Sequence, residues 1–308
     1  MSKILTLTFS PSIDKSAVVK AMIPDKKMHC SNPNAEPGGG GINVARVIKR
    51  LGGDVTAVFP SGGYVGKLFN DLLTAENVAF ECIETKNETR ENFVIQDLET
   101  NQEFRFGMPS NALFDHEWKA CLSMIENHEN IDFIIASGSL PLGVPMDIYA
   151  QLSKIAKSKN AKFIVDTSGE ALKNAIDEGV YLLKPNLEEL GILINKKDLK
   201  VENIEVAARD LIKNNNIEII VVSLGANGAM LVTKNECHTM KPPKVTVKST
   251  VGAGDSMVAG IVFGLSKKMN FSECLQLGIA CGTATTMNLG SALCNKSDVE
   301  KLLTLMKK

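Results

Sequence analysis

Long hydrophobic runs, a surplus of charge and paired cysteines are all missing from this chain. Its longest apolar segments, Ile217–Leu224 and Met257–Leu265, fall well short of the roughly 20 residues that cross a bilayer as a helix. Met1-Ser2-Lys3 leads straight into the strand-like Ile4–Phe9, with no room for the apolar core of a signal peptide. The formal net charge is −1, which gives no electrostatic reason to expect nucleic acid or an anionic membrane as a partner. The seven cysteines (30, 82, 121, 237, 274, 281 and 294) show neither C-x-x-C nor metal-ligand spacing. Scattered in this way they read as buried or incidental thiols in a reducing compartment. The expectation is a soluble, cytoplasmic protein.

Several familiar motifs are absent too. No G-x-G-x-x-G follows the first strand, which argues against a dehydrogenase, and no Gly-Lys-Ser/Thr closes a Walker A loop. Ser137-Gly138-Ser139 lacks the G-x-S-x-G of a nucleophile elbow, and no histidine (29, 116, 128, 238) sits in a triad-like setting. No internal repeat or low-complexity run appears.

What remains is a chain of 308 residues, 44% apolar, long enough to bury a large core as one α/β domain or a domain with an attachment. From residue 115 onward helical and strand patterns alternate as in a parallel sheet. Helices are predicted over 115–127, 145–158, 170–178, 187–194 and 202–213, with strands over 131–136, 162–166, 180–184 and 217–222. A strand pair covers 229–240, and helices over 255–267, 272–288 and 297–307 close the chain. Earlier, Val55–Phe59 reads as a strand and Tyr64–Glu76 as a helix. Asn92–Asp97 and Gln102–Gly107 form a hairpin whose Phe93, Ile95, Phe104 and Phe106 share one face.

The segment Ser249–Ser256 follows β-branched residues and opens an apolar helix. Its glycines let the backbone approach a ligand closely, and a helix start attracts an anion. Asp255 there is either an N-cap after a glycine turn or a base that takes a proton from a hydroxyl attacking phosphorus. Pro37-Gly38-Gly39-Gly40-Gly41-Ile42-Asn43 opens a second helix, Ile42–Leu51, preceded by Asn32-Pro33-Asn34 instead of a strand. Bare glycine backbone such as Gly39 and the amide of Asn43 suit a sugar, though a flexible loop is the alternative. Asp14 follows the first strand, where ligand groups of open α/β sheets collect and where turn aspartates are also common. Gly138 N–H and Ser139, after a strand, suit a substrate phosphate. Asn186 and Glu189 after Lys184-Pro185 suit a water-rich Mg²⁺ shell, or equally a capped helix start with an acidic first turn. Ser223-Leu224-Gly225-Ala226-Asn227-Gly228 is a glycine turn after another strand. Arg90 and Arg105 flank and enter the hairpin, either as solvated arginines or as phosphate contacts.

The Ser249–Ser256 segment resembles the C-terminal signature of the ribokinase-like sugar kinases of the phosphofructokinase-B type, and the Pro37–Arg46 run resembles their N-terminal signature. The resemblance covers nearly the whole chain. Phe59-Pro60, Thr89-Arg90, Arg105-Phe106, Ser168–Leu172 and Ser256-Met257-Val258 fit best the bacterial branch that acts on fructose 6-phosphate. It implies an α/β fold, a three-layer α/β/α sandwich of residues 1–12, 34–88 and 109–308, with a β lid of residues 13–33 and 89–108. It implies transfer of the γ-phosphoryl of Mg-ATP to the 1-hydroxyl of fructose 6-phosphate. In that scheme Asp255 is the base, and Gly252, Ala253 and Gly254 stabilise the moving phosphoryl. Asp14, Gly39 and Asn43 hold the sugar, while Lys27, Arg90, Arg105 and Ser139 hold its phosphate. Lys184, Asn186, Ser223, Gly225 and Gly228 lie along the nucleotide, with Asn186 and Glu189 organising Mg²⁺ through water. Potassium-activated relatives imply a monovalent site at Ser249, Val251, Thr285, Asn288 and Gly290. The hairpin's apolar face, which a two-stranded ribbon cannot leave in water, predicts that lid sheets pair between subunits in a homodimer. The sequence departs from the pattern at Ala292, in place of a basic residue, and at Ile23, in place of an aromatic one, so regulation by ATP is not carried over. Kinases of fructose 1-phosphate or tagatose 6-phosphate share the scaffold, but they usually carry Lys where this chain has Gly40. A sugar- or nucleotide-binding regulator without catalysis is the remaining alternative.

Overall fold

The computed structural model describes residues 2–196 and 198–307. In chain order the strands are β1 (Lys3–Leu7), β2 (Ser12–Val19), β3 (Ser31–Gly38), β4 (Asp54–Ser61), β5 (Ala79–Glu84), β6 (Arg90–Asp97) and β7 (Glu103–Phe106). They continue as β8 (Phe133–Ser137), β9 (Lys162–Asp166), β10 (Val180–Leu183), β11 (Ile217–Ser223), β12 (Ala229–Thr233) and β13 (Cys237–Met240). The helices are α1 (Gly40–Arg50), α2 (Gly63–Ala75), α3 (Asp115–Asn127), α4 (Ile148–Ser158) and α5 (Gly169–Glu178). After them come α6 (Leu187–Leu193), α7 (Ile204–Asn214), α8 (Ala253–Ser266), α9 (Phe271–Thr286) and α10 (Lys296–Met306).

Nine strands form the main sheet in the order β13-β12-β11-β10-β9-β8-β1-β4-β5. It is parallel from β11 to β5, with β12 and β13 added antiparallel. The central strands are apolar on both faces, as a parallel sheet covered by helices requires. In β8 the alternation is explicit. Phe133 and Ile135 enter one core with α1, α2, α8, α9 and α10, while Ile134 and Ala136 enter a second core with α3 to α7. The result is the three-layer α/β/α sandwich.

The pairing of α8 with α9 sets the position of the functional helix. A Cβ on Gly260 would lie 2.8 Å from the Leu277 carbonyl, and one on Gly278 would lie 2.6 Å from Ile261. Without side chains there, the two backbones approach closely. Helix α8 is apolar nearly all round, so it is held inside the molecule.

The second sheet, β3-β2-β6-β7, is small. Strand β2 runs parallel to β6 and antiparallel to β3. Two strands depart from the sequence reading. Ser31–Gly38 is a strand that leads into the glycine-opened helix, so Asn32-Pro33-Asn34 is not a strandless approach, and the small sheet extends past the boundary set at residue 34. It pairs in the small sheet rather than the main one, so the segment still does not build a dinucleotide fold. Ala79–Glu84 adds an edge strand to the main sheet that its sequence did not announce. No helix among the described residues is long and apolar enough to cross a membrane.

Candidate active site

The carboxyl ends of β1, β8, β9, β10 and β11 open on one side of the main sheet, the side where α/β sheets place ligands. Helix α8 aims its N-terminus at the same region. Gly252 is its N-cap with φ +72°, a left-handed turn that glycine adopts without strain. Asp255 is therefore the third helical residue rather than the cap, which removes the capping alternative. Ala253 N–H reaches the Thr250 carbonyl at 3.4 Å. The amides of Gly254 and Asp255 find no main-chain acceptor among the described residues, as first-turn amides do not.

The Asp255 carboxylate accepts a hydrogen bond of 2.9 Å from Asn43 Nδ2 on α1. Both glycine-opened helices thus meet at one carboxylate. Burial pushes its pKa up to about 6, and the like charges of Asp166 and Asp14 push the same way. The Asn43 hydrogen bond and the Lys184 ammonium pull against them. Lys184 is buried, 3.5 Å from Asp166, and its Nζ would sit 3.4 Å from a Cβ on Gly254. Burial alone would lower its pKa, but the carboxylates of Asp166, Asp255 and Glu189 outweigh burial and hold it above the usual value.

Asp14 is buried in β2, and its Oδ1 accepts from Ser12 Oγ and Asn92 Nδ2, each at 2.9 Å. Its Oδ2 faces Gly38, where any side chain would overlap it. Arg90 donates to the Met108 carbonyl at 2.9 Å and the Ser10 carbonyl at 3.3 Å. Arg105 pairs with Glu103 at 2.6 Å and reaches Thr250 Oγ1 at 3.0 Å, tying β7 to the loop before α8. Gly39 has φ +112° and packs on Thr8 and Pro11 at the entry to α1. Ser139 is exposed just past β8. Lys27 is exposed in the loop of residues 20–30 and joins no ion pair among the described residues.

Several of these residues already have partners within the chain. Gly138 N–H is not free for a phosphate, because it donates to the Asp166 carbonyl at 3.1 Å. Gly228 is buried against Met240, and its N–H closes the turn onto the Gly225 carbonyl at 3.0 Å. Asn186 and Glu189 form a capping box at α6, each side chain accepting the other's amide at 2.8 Å. Their helix-start reading is therefore realised, with Glu189 Oε1 left over. Gly225 borders open space with φ +56°, and Ser223 ends β11 beside it.

The cation segments do come together: Lys248 N–H and Ser249 N–H both reach the Thr286 carbonyl, at 2.8 and 3.4 Å. Thr285 Oγ1 donates to Ser256 Oγ at 2.7 Å, Asn288 Nδ2 donates to the Ala284 carbonyl at 3.1 Å, and Gly290 packs on Ser16 of β2. Val251 N–H donates to Ser249 Oγ at 3.3 Å. Asp166, Asn92 and Ser12 were missed in the sequence. For Asp166 a signal existed, a carboxylate closing the apolar strand Phe163-Ile164-Val165.

The sandwich, the second sheet and the glycine-capped helix in front of a carboxylate define a ribokinase-like fold. The pfkB family carbohydrate kinase model matches residues 8–298, and the chain belongs to that family. It is 39% identical over 303 residues to the ATP-dependent 6-phosphofructokinase isozyme 2 of Escherichia coli strain K12, covering 98% of each chain. It is 32% identical to the 1-phosphofructokinase of Bacillus subtilis, covering 92% of this chain and 93% of that one. Two crystal structures of phosphofructokinase-2 from Escherichia coli are similar at 38% identity. The complex with substrates and products has a TM-score of 0.96, covering 99% of this chain and 100% of that one. The complex with potassium has a TM-score of 0.95 and covers all of both chains.

Proposed function

We propose that this protein transfers the γ-phosphoryl of ATP to the 1-hydroxyl of fructose 6-phosphate, giving fructose 1,6-bisphosphate. The observation that carries the reading is the position of Asp255 inside the first turn of α8. It is oriented by Asn43, and its pKa is raised into the range of a working general base. The base accepts the hydroxyl proton while the amides of Gly252 and Gly254, which have no main-chain acceptor among the described residues, face the charge of the moving phosphoryl, with Ala253 between them. Phosphoryl transfer is mostly positioning and electrostatics, so no covalent intermediate is required. Asp14, Gly39 and Asn43 hold the sugar, and Arg90, Ser139, Lys27 and Arg105 take its phosphate. Gly225 and Ser223 run along the nucleotide. Greater identity to the 6-phosphofructokinase than to the 1-phosphofructokinase favours the 6-phosphate. So does Gly40, where any side chain would overlap Ser137 Oγ.

The carboxylates of Asp166, Asp255 and Glu189 act on one lysine, Lys184. No three acidic, histidine or cysteine side chains among the described residues converge on a metal-sized site, so magnesium would be held here mostly by water and nucleotide oxygens. Bound with the nucleotide, it supplies charge neutralisation at the phosphates, with Glu189 Oε1 and Asp166 as protein oxygens acting through water. A monovalent cation, potassium, suits the carbonyls of Ser249, Val251, Thr285, Asn288 and Gly290. We further take the small sheet as a lid and as the interface of a homodimer, in a cytoplasmic enzyme.

ADP release measured against fructose 6-phosphate, fructose 1-phosphate, tagatose 6-phosphate and fructose tests the substrate. Fructose 6-phosphate is expected to be preferred and fructose to be poor. Arg90→Ala is expected to lower kcat/KM for fructose 6-phosphate by about 10- to 150-fold, leaving KM for ATP within a few-fold. Preference for fructose 1-phosphate, or unchanged kinetics in Arg90→Ala, would overturn the assignment.

A further inference from the structure

Asn92 in β6 lies opposite Asp14 in β2 in the small sheet. Its Nδ2 donates to Asp14 Oδ1 at 2.9 Å and to Ser12 Oγ at 3.1 Å. Its Oδ1 accepts the Met108 N–H at 3.0 Å. The Met108 carbonyl in turn accepts Arg90 Nη1 at 2.9 Å. One amide side chain therefore connects the Asp14 carboxylate, proposed to hold the sugar hydroxyls, with the Arg90 guanidinium, proposed to take the sugar phosphate, through a single residue of main chain. It also stitches together three segments of the small sheet: β2, β6 and the chain after β7.

The chemistry leaves little freedom in how the amide is placed. Met108 N–H can only donate and an ionised Asp14 can only accept, so one orientation of the Asn92 amide satisfies both. Two donors on Oδ1, from Ser12 and Asn92, fix the rotation of the Asp14 carboxylate. Oδ2 is left as the acceptor beside Gly38, where a side chain has no room. Asparagine carries its donor and its acceptor on two separate atoms of one short planar group, which a serine or threonine hydroxyl does not.

We propose that Asn92 is a positioning residue that couples the two ends of the sugar-phosphate site, so that the small sheet presents its hydroxyl grip and its phosphate grip in one fixed relation. The inference rests on the fructose 6-phosphate reading and adds a residue to which that reading gives no role. The other charged groups around the pair are Arg90, Glu36 across the ladder from Asp14 and Asp255 on α8, and the Asn92 variants leave all three in place.

Steady-state kinetics on the full-length protein test it. Asn92→Asp keeps an acceptor for Met108 but puts a second carboxyl against Asp14 in place of the donor. Its kcat/KM for fructose 6-phosphate is expected to fall about 10- to 100-fold, mainly through KM, while KM for ATP stays within about threefold. Its deficit relative to wild type is expected to shrink as pH falls, because a proton shared by two adjacent carboxyls restores the donor. A purely structural role would not produce that ratio. The double variant Arg90→Ala/Asn92→Ala is expected to lose less than the product of the single losses. An unchanged KM for fructose 6-phosphate in Asn92→Asp, a pH-independent deficit or a fully multiplicative double variant would each overturn the coupling. If the Asn92 variants do not fold, Ser12→Ala removes one Asp14 donor without touching Met108. It is expected to raise the sugar-phosphate KM several-fold, and no rise overturns the proposal. Wild type is first assayed on fructose 6-phosphate, fructose 1-phosphate and tagatose 6-phosphate. Failure on all three overturns the functional reading and this inference with it. Normal turnover with unaffected variants overturns the inference alone.

Discussion

Asp255 carries its charge where the surroundings resist it. Burial comes first, then the carboxylates of Asp166 and Asp14, and together they raise its pKa to about 6 despite Asn43 and Lys184. A base must be unprotonated to act, so kcat/KM is expected to fall on the acid side with an apparent pKa near that value. The phosphate of a sugar phosphate also titrates at about 6, so the limb alone does not identify its owner. Asp166→Asn does: removing one like charge lowers the Asp255 pKa and moves the limb to lower pH, and a limb that stays put would assign it to the substrate. The same shift has a sign for stability. The folded-state pKa lies above the unfolded one, so between the two values the folded chain binds more protons. Stability then declines as pH rises through that window and the cost persists above it. Asp255→Asn is therefore expected to melt higher than wild type at about pH 7.5, with the gap closing in acid, while losing roughly 10²–10⁴ in kcat. A folded Asp255→Asn protein with near wild-type turnover would remove the base.

At the scale of elements, the aim of Asp255 depends on how closely α8 lies on α9. A methyl on Gly260 would meet the Leu277 carbonyl at 2.8 Å, Cys281 Sγ at 2.9 Å and Gly278 Cα at 2.9 Å. Two of those atoms are backbone and cannot swing aside. Gly260→Ala is expected to cost about 1–3 kcal/mol of stability and to lower kcat more than it raises KM, because the helix start moves with the helix. Thermal unfolding and kinetics on the same preparation check this; a variant as stable as wild type would mean that the helices separate freely. That interface also marks the limit of sequence reading. The glycine-opened helices were legible because strand, glycine turn and apolar helix follow each other locally. The parallel sheet was legible because its buried strands are uniform apolar runs. Strand β3 was not, since Ser31–Asn34 is exposed and Pro33 lacks an N–H; edge strands tolerate both. The Gly138 amide was misread because it is taken by the Asp166 carbonyl, a partner that a glycine turn does not announce. Asn92 stayed hidden for a related reason. Its importance lies in the partners brought beside it by β2 and by the turn after β7.

For the whole molecule, the two faces of the small sheet set opposite demands. One face carries Asp14, Asn92 and Arg105 toward α8. The register places Lys15, Ala17 and Ala35 on the other face with Phe93, Ile95, Phe104 and Phe106. That outer face is incompletely covered in the single chain: Phe106 is 42% exposed, and a groove lined by Ala17, Ala35, Phe93 and Ile95 remains open. Apolar surface gathered on one exposed face marks an interaction site. A second copy of the same face would bury it, which is the closed two-fold arrangement commonest among oligomers. The protein is expected to sediment as a dimer at micromolar concentration. Ile95→Asp, which sets a charge in the middle of the face, is expected to give monomers that keep ATP binding but lose fructose 6-phosphate affinity by about tenfold or more. The reason for that split is geometric, since loosening the outer face also loosens the strands that hold Asp14 and Arg90, while Gly225 and Lys184 belong to the main sheet's loops. Wild type that sediments only as monomer with fructose 6-phosphate present would end this account, and so would a monomeric Ile95→Asp variant with unaltered sugar-phosphate kinetics.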